Sequence, residues 1–183
     1  MEKFIYLVPI GEVKREILED LKNNLPKVFP FKFVIGDEIP IPKDSFNEKR
    51  KQYLAYSFLE ELSKLNINAY KILGVTNVDL YAPSLNYVFG QAKLGGREGV
   101  ISLARLDNSF YGFSECLSVL KHRALKEAVH ELGHCFGLEH CTNSNCVMYF
   151  SNSLKDTDNK DYNFCYLCNI KFYKILENLQ ILK

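Results

Sequence analysis

Hydrophobic positions along the chain follow two periods in turn, and the alternation predicts strands and helices. Apolar runs of five to seven residues, bounded by glycine, proline or charged residues, predict strands. Apolar positions about four residues apart, such as Val13, Ile17 and Leu21, predict helices. The predicted strands are 4–9, 31–35, 69–75, 87–92 and 100–106. The predicted helices are 12–25, 53–65, 118–136 and 165–182.

The order of these elements predicts an α/β fold, a mixed sheet of about five strands with helices packed on it. The last two strands are joined by a short turn near Gly95 and Gly96, so we expect them to be antiparallel. The stretch 36–50 contains Pro40, Pro42 and many charges, and we interpret it as a loop.

The stretch 130–140, with the sequence HELGHCFGLEH, carries the strongest chemical signal in the chain. Residues four apart on a helix lie one turn apart, so His130 and His134 can point at one metal ion. Glycine tolerates positive φ, so Gly137 can end the helix and turn the chain sharply. A continued helix would carry His140 to the opposite face, whereas the turn brings it back as a third ligand. The spacing therefore predicts a zinc site built from His130, His134 and His140.

Three protein ligands leave the fourth position of a tetrahedral zinc ion open, which is typical of a catalytic site. Zinc lowers the pKa of a bound water from about 15.7 toward about 7. Glu131 follows His130 directly, so we expect it to take that water's proton during attack on a peptide bond and to pass it to the leaving amine. Because histidine binds metal only when neutral, activity is expected to fall in acid. The alternative is that these are ordinary core or surface histidines. That interpretation would suit a single histidine better than the whole stretch 130–140.

Four cysteines follow the histidine motif. Cys141 and Cys146 form a C-x4-C pair, and after 18 residues Cys165 and Cys168 form a C-x2-C pair. Two close pairs separated by a loop suit a second, tetrahedral zinc ion bound by four thiolates, and two disulfides are the alternative. The chain shows no secretory signal, which favours a cytoplasmic protein with reduced thiols and therefore metal over disulfides. Cys116 and Cys135 lack partners at such spacing, and we expect Cys135 to face the core.

Met148 lies two residues after Cys146, and a zinc motif followed by a methionine resembles the metzincin peptidases. The first cysteine stands directly after His140, and C-x4-C-x-M with a later C-x2-C resembles one metzincin branch, the archaemetzincins. The resemblance covers 124–168, and the segment 86–92 also resembles the family's edge strand.

The resemblance implies a metzincin fold and a zinc-dependent peptidase with one catalytic and one structural zinc ion. It carries over His130, His134 and His140 as ligands of the catalytic zinc and Glu131 as the base. It carries over the four cysteines as ligands of the second zinc. The family's antiparallel edge strand borders the cleft, where it would pair with an extended substrate. Some metzincins have a tyrosine two residues after the methionine; Phe150 stands there, and the adjacent Tyr149 is out of register.

Length and composition limit the remaining possibilities. The 183 residues are expected to form one domain. We expect an upper subdomain over 1–137 with the sheet and the active-site helix, and a C-terminal subdomain over 138–183 with the Met-turn, the cysteine site and the final helix. A net charge of +1 gives no electrostatic basis for binding nucleic acid or an anionic membrane. The segment 141–168 likewise has no basic patch, which argues against a zinc ribbon that binds nucleic acid.

The leading hypothesis is a cytoplasmic, monomeric zinc peptidase that acts on peptides or unfolded polypeptide. No cysteine precedes Cys116, so we expect no inhibitory prosegment cysteine, and a restricted cleft with narrow specificity would then protect the cell. The competing hypothesis is a weakly active or inactive peptide-binding module in which two zinc ions are structural or regulatory. Glu131 argues against that hypothesis, because a scaffold needs no base beside its metal.

Overall fold

Short strands and helices alternate along the chain, and the computed structural model describes residues 3–181. The elements are, in chain order, β1 (Phe4–Ile10), α1 (Arg15–Asn24), β2 (Lys32–Ile35), β3 (Phe46–Asn47), β4 (Gln52–Leu54), α2 (Ala55–Ser63), β5 (Lys71–Thr76), β6 (Leu80–Tyr81), β7 (Gly90–Ala92), β8 (Glu98–Ser102), α3 (Leu117–Cys135), α4 (Leu154–Asn159) and α5 (Tyr166–Asn178). Five strands form the main sheet in the spatial order β2-β1-β5-β8-β7. Neighbouring strands are parallel except β7 and β8, which are antiparallel. The predicted α/β fold, with a mixed five-stranded sheet and an antiparallel edge strand, is confirmed.

Side chains alternate between the two faces of the sheet and divide the core between them. Ile5, Leu7 and Leu73 pack on the face that also carries the buried residues of α1 and α3. Val8 and Ile72 pack on the other face, with the buried residues of α2. Because helices cover both faces, the central strand β5 is buried at all of its six positions, as is usual for parallel sheets.

A cluster of phenylalanine rings joins the end of α3 to α5 and to the connection after α1. Phe29 is fully buried, and its ring centroid lies 5.6 Å from that of Phe136, 5.8 Å from that of Phe164 and 5.4 Å from that of Phe172. Edge-to-face and stacked rings at such distances add to the free energy of burial. The cluster therefore fixes the C-terminal helix against the helix that carries the histidine motif.

The strands beside the motif are shorter than predicted. The edge strand β7 occupies only the last three residues of the predicted 87–92, because Val88 instead donates a hydrogen bond of 2.9 Å to the Leu80 carbonyl of a second, smaller sheet. The predicted strand 100–106 ends at Ser102, where the Ser102 hydroxyl accepts a hydrogen bond from the backbone N–H of Ala104 and a 3₁₀ turn begins.

Two features were missed by the sequence patterns. β3, β4 and β6 form the second sheet, and β3 lies inside the predicted loop 36–50. α4 begins with a capping box between Ser153 and Asp156, a signal that the sequence carried. The predicted helix 165–182 is present as α5, and its last predicted residue lies outside the described part of the chain. None of the helices in residues 3–181 combines the length and apolar character that crossing a bilayer requires.

Replacing Phe29 by alanine tests whether the phenylalanine cluster stabilises the fold. A buried Phe→Ala substitution costs about 3–5 kcal/mol, because it removes apolar burial and leaves a cavity. We expect a loss of that size in the free energy of unfolding, measured by urea denaturation. Phe113→Ala is the control, since Phe113 is 71% exposed and its loss should cost less than about 0.5 kcal/mol. Equal effects of the two substitutions would contradict the cluster's role.

Candidate active site

Helix α3 carries the first two histidines of the motif. Ala124, Ala128 and Leu132 recur every four residues on α3 and are buried in the core beside the main sheet. This packing fixes the rotation of the helix about its axis, and therefore the direction of every other side chain on it. His130 and Glu131 are each 5% exposed and both line the cleft next to the sheet edge.

The helix ends in a turn that returns the chain toward the histidines. Gly137 has φ +96°, the left-handed conformation that favours glycine and that the sequence predicted. Its N–H donates to the His134 carbonyl at 2.9 Å, and the Leu138 N–H donates to the Gly133 carbonyl at 3.0 Å. This pair of hydrogen bonds is a Schellman motif, which satisfies the last carbonyls of the helix while reversing the chain. The reversal places His140 beside the helix rather than beyond its end.

The three histidines converge through their Nε2 atoms. The Nε2 atom of His134 lies 3.1 Å from that of His130 and 3.2 Å from that of His140. On the other side of each ring, His130 Nδ1 lies 2.7 Å from the Val147 carbonyl and His134 Nδ1 lies 2.7 Å from the Leu138 carbonyl. A carbonyl only accepts, so each Nδ1 carries the proton and each Nε2 presents its lone pair.

This arrangement fits a zinc ion. Nitrogen ligands about 2.0–2.1 Å from a tetrahedral zinc lie about 3.3 Å apart, close to the spacing of these Nε2 atoms. Burial lowers the pKa of His134 and of His140, and it lowers the pKa of His130 well below its usual range. The imidazoles are therefore neutral at neutral pH, which is the form that binds metal.

Glu131 lies between the histidines and the edge strand. A Cβ atom on Gly90 would lie 2.6 Å from Glu131 Oε1 and 2.7 Å from the Val100 carbonyl oxygen. Only glycine therefore lets β7 come this close to the helix. Burial raises the pKa of Glu131 well above its usual range, and the nearby Glu127 raises it further. A raised pKa makes the carboxylate a stronger proton acceptor, which suits a general base.

Met148 packs directly against the helix within the motif. It is fully buried, and a Cβ atom on Gly133 would lie 2.5 Å from its Sδ and 3.1 Å from its Cε. The glycine of the HELGH sequence is thus the residue that makes room for the methionine. The Cys141 N–H donates to the Met148 carbonyl at 2.9 Å, so the methionine turn also holds the chain that follows His140.

The four predicted cysteines come together. Their sulfur atoms all lie within 4.8 Å of one another, and those of Cys141 and Cys165 are 3.8 Å apart. Sulfur ligands about 2.3 Å from a tetrahedral zinc lie about 3.8 Å apart, so the cluster fits this ion. Partial burial alone would raise the pKa of Cys165, but hydrogen bonds from the Cys168 backbone and from Cys146 and Cys141 lower it to about 7. Burial instead raises the pKa of Cys146 and of Cys168, so Cys165 ionises more readily than these two.

The other two cysteines, Cys116 and Cys135, lie outside this cluster. Cys135 is fully buried, as predicted, and burial raises its pKa to about 12. Its thiol therefore stays protonated at neutral pH and behaves as a core residue.

A buried cluster of charges beneath the site was not anticipated from the sequence. Lys160 is 1% exposed, and its Nζ lies 3.0 Å from Oε1 of Glu127, which is itself 3% exposed. Thr157 donates a hydrogen bond of 3.0 Å to the same oxygen. Lys126 donates to the carbonyls of Thr157 and Asp158 at 2.9 and 2.8 Å. These contacts fasten the segment around α4 to the helix that carries the histidines.

The cleft over the histidines has a volume of about 560 Å³ and runs along β7. Phe150 lines it, and its ring centroid lies 5.0 Å from that of His140. The position that carries a tyrosine in some metzincins is therefore an apolar contact beside the third histidine here. Tyr149 is not among the described residues that line the cleft.

The matching family model is described as peptidase family M54 and covers residues 10–174. An archaemetzincin of Pyrococcus abyssi is 45% identical in an alignment that covers 96% of this chain and 97% of that protein. The chain belongs to the archaemetzincins, peptidase family M54. Membership in this family makes it a zinc metallopeptidase that acts on peptide substrates, as the sequence predicted.

Solved archaemetzincin structures share the fold. The crystal structure of the archaemetzincin of Methanopyrus kandleri superposes with a TM-score of 0.87 at 34% identity, covering 96% of each chain. A zinc-dependent peptidase from Methanocorpusculum labreanum gives a TM-score of 0.83 at 31% identity, covering 92% of this chain and 99% of that one. The two superpositions cover at least 92% of this chain.

The contact between Gly133 and Met148 gives a test of packing beneath the histidines. Gly133→Ala should lower the free energy of unfolding, because overpacking a filled core costs about 1–3 kcal/mol and outweighs a gain of about 1 kcal/mol in helix propensity. In a Met148→Ala background the sulfur atom is gone, so the same substitution should no longer destabilise the protein and the gain in helix propensity should appear. Urea denaturation of the four proteins in this double-mutant cycle measures the coupling. Additive effects would show that the two residues do not compete for the same space.

Proposed function

We propose that His130, His134 and His140 bind a catalytic zinc ion and that Glu131 moves protons during peptide-bond hydrolysis. The observation that carries the proposal is the convergence of three Nε2 atoms at 3.1–3.2 Å beside a buried carboxyl group. The same arrangement leaves one side of the histidine cluster open to the cleft, as a catalytic zinc site requires.

A bound zinc ion supplies a Lewis acid that acidifies water and polarises the carbonyl group of the substrate. Glu131 accepts one proton from the attacking water at a carboxylate oxygen, as the new carbon–oxygen bond forms. It then delivers that proton to the amide nitrogen, so that the carbon–nitrogen bond breaks and a neutral amine leaves. Its burial beside β7 limits competing proton exchange with bulk water.

The edge strand supports an extended substrate. Among the strands within residues 3–181, β7 pairs with β8 alone, and the cleft runs along it. A substrate strand can add to this edge through main-chain hydrogen bonds. Gly90 brings the edge to Glu131, so the paired backbone passes the carboxyl group closely.

We also propose that Cys141, Cys146, Cys165 and Cys168 bind a second, structural zinc ion, giving two zinc ions per chain. The cluster lies in the predicted C-terminal subdomain of 138–183, which begins just after the turn at Gly137. The Val147 carbonyl that holds the His130 ring stands directly after Cys146. The second zinc would therefore brace both the segment that carries His140 and the carbonyl that orients His130.

Glu131→Ala tests the proton-transfer role. We expect turnover of a peptide substrate to fall by at least about 100-fold, the contribution typical of a general acid–base group, while both zinc ions stay bound. Turnover is followed with quenched fluorescent peptides, and zinc with elemental analysis. Glu60→Ala is the matched control, because Glu60 is exposed on α2 and should leave turnover unchanged.

His134→Ala should instead empty the histidine site and leave the zinc of the four cysteines bound. Zinc content would then fall from two per chain to one. Unchanged turnover in Glu131→Ala would overturn its proposed role, and an unchanged zinc content in His134→Ala would overturn the proposed ligand set.

Cys168→Ser tests whether the second zinc braces the first. Cys168 lies on α5, 28 residues after His140, so its effect on the histidine site must pass through the cysteine cluster. Loss of a supporting contact typically weakens metal binding by roughly 10- to 100-fold. We expect a loss of this size in zinc affinity at the histidine site, measured by chelator competition, and the same for Cys141→Ser. Cys116→Ser, outside the cluster, should have no effect, and wild-type affinity in the two cluster variants would contradict the coupling.

A further inference from the structure

A second, smaller cavity opens beside Glu131 and His130. Its volume is about 170 Å³. It lies between helix α3, the segment 150–152 and the segment 85–90, which ends at the first residue of β7. We call it the side pocket. Glu127 of the buried charge cluster lines it, and none of the four cysteines is among its lining residues.

Polar groups lie in the wall of the side pocket. Glu127, one helical turn before Glu131, lines it, and Oε1 of Glu127 is occupied by Lys160 and Thr157. Oε2 takes part in neither of these contacts. Ser151 also lines the pocket, and its buried Oγ has no hydrogen-bond partner within residues 3–181. A buried hydroxyl without a partner costs free energy that a ligand can recover.

The charges of the pocket limit what it can accept. Lys160 already balances Glu127, so a cationic side chain would gain no unpaired partner. An anionic side chain offers only acceptor oxygens, so it could form no hydrogen bond with Oε2 of Glu127, which is also an acceptor. A purely apolar side chain would leave Ser151 Oγ buried and unpaired.

The length of the pocket is limited as well. The Tyr87 hydroxyl donates a hydrogen bond of 2.8 Å to the Asn152 carbonyl and so joins the two walls. The ring of Tyr87 lies at right angles to Phe89, with centroids 5.3 Å apart. A large aromatic side chain would have to break this bridge.

We propose that the side pocket binds a carboxamide side chain, glutamine or asparagine, of the peptide substrate. The amide NH₂ donates to Glu127 Oε2, and the amide oxygen accepts from the Ser151 hydroxyl. This proposal rests on the proposed peptidase function of the same site. In the proposed binding mode the substrate strand is antiparallel to β7, so it passes Ala92 before Gly90. The side pocket lies at the Gly90 end of β7, so the bound side chain is assigned to the residue that follows the scissile bond.

A peptide series tests this preference. Quenched peptides that differ only at that residue carry glutamine, asparagine, glutamate, methionine, leucine, phenylalanine or lysine. We expect kcat/KM for the glutamine or asparagine peptide to exceed that of every other peptide roughly tenfold or more. The other side chains lack the amide donor, the amide acceptor or both. A best substrate with a charged, apolar or aromatic side chain would overturn the proposal.

Ser151→Ala connects the preference to the pocket. It should remove most of the advantage in kcat/KM of the glutamine peptide over the methionine peptide. Ser57→Ala is the control, since Ser57 is a half-buried serine of α2, remote from the pocket. An equal loss for all peptides in Ser151→Ala would mean that Ser151 only supports the fold, and the assignment would be wrong. Glu127→Gln combined with Lys160→Met removes the charge pair together and should likewise reduce the carboxamide advantage.

Binding measurements separate this proposal from the proposed hydrolysis. The same peptides are titrated into the zinc-loaded Glu131→Ala variant by calorimetry, so that the preference appears in Kd without any cleavage. A carboxamide preference in Kd, with no cleavage by the wild type, would overturn the hydrolytic function but support the pocket. Equal Kd values across the series would overturn the pocket assignment whatever the rate of cleavage.

Discussion

Two backbone carbonyls, those of Val147 and Leu138, fix the histidine site, and most of the surrounding structure serves to place them. Each accepts a 2.7 Å hydrogen bond from an Nδ1 atom, so each sets a tautomer and a ring direction. The Leu138 carbonyl depends on the left-handed turn at Gly137. The Val147 carbonyl belongs to the turn whose next residue, Met148, fills the space left by a glycine of the helix. The orientations of the His130 and His134 rings are therefore set by backbone atoms, which side-chain motion does not easily displace.

Arg123 and Glu127, two charged residues of α3, hold the segment that follows the methionine turn. Arg123 forms two hydrogen bonds to Asp158, at 2.7 and 2.9 Å, and Glu127 pairs with the buried Lys160. Buried ion pairs contribute little net stability compared with apolar packing, but leaving one partner unpaired is costly. Alternative positions of the 154–160 segment would break both ion pairs at once. The pairs thus favour one placement of α4 and, through it, of the preceding residues 150–152.

The parts of the site that the sequence predicted are local in the chain. The spacing of His130 and His134, the turn at Gly137 and the cysteine pairs each depend on neighbours within a few residues, where helix and turn geometry are general rules. The pair of Glu127 with Lys160 spans 33 residues, and each residue alone resembles an ordinary solvated charge. The short second sheet depends likewise on Val88 meeting Leu80. Such pairings follow from the assembled fold and have no local signature.

The edge strand and the end of α3 form one unit. The Gly95 N–H in the β7–β8 turn donates to the His134 carbonyl at 2.8 Å. Lys71 donates to the carbonyls of Cys135 and Gly96, at 2.7 and 2.6 Å, and so joins β5 to both. Burial lowers the pKa of Lys71, which shows how far this ammonium group is withdrawn from water for these contacts. These hydrogen bonds join the last carbonyls of the helix to the sheet. The sheet itself therefore positions a backbone paired with β7 relative to the histidines. Groups held by regular elements keep their geometry better than groups on loops.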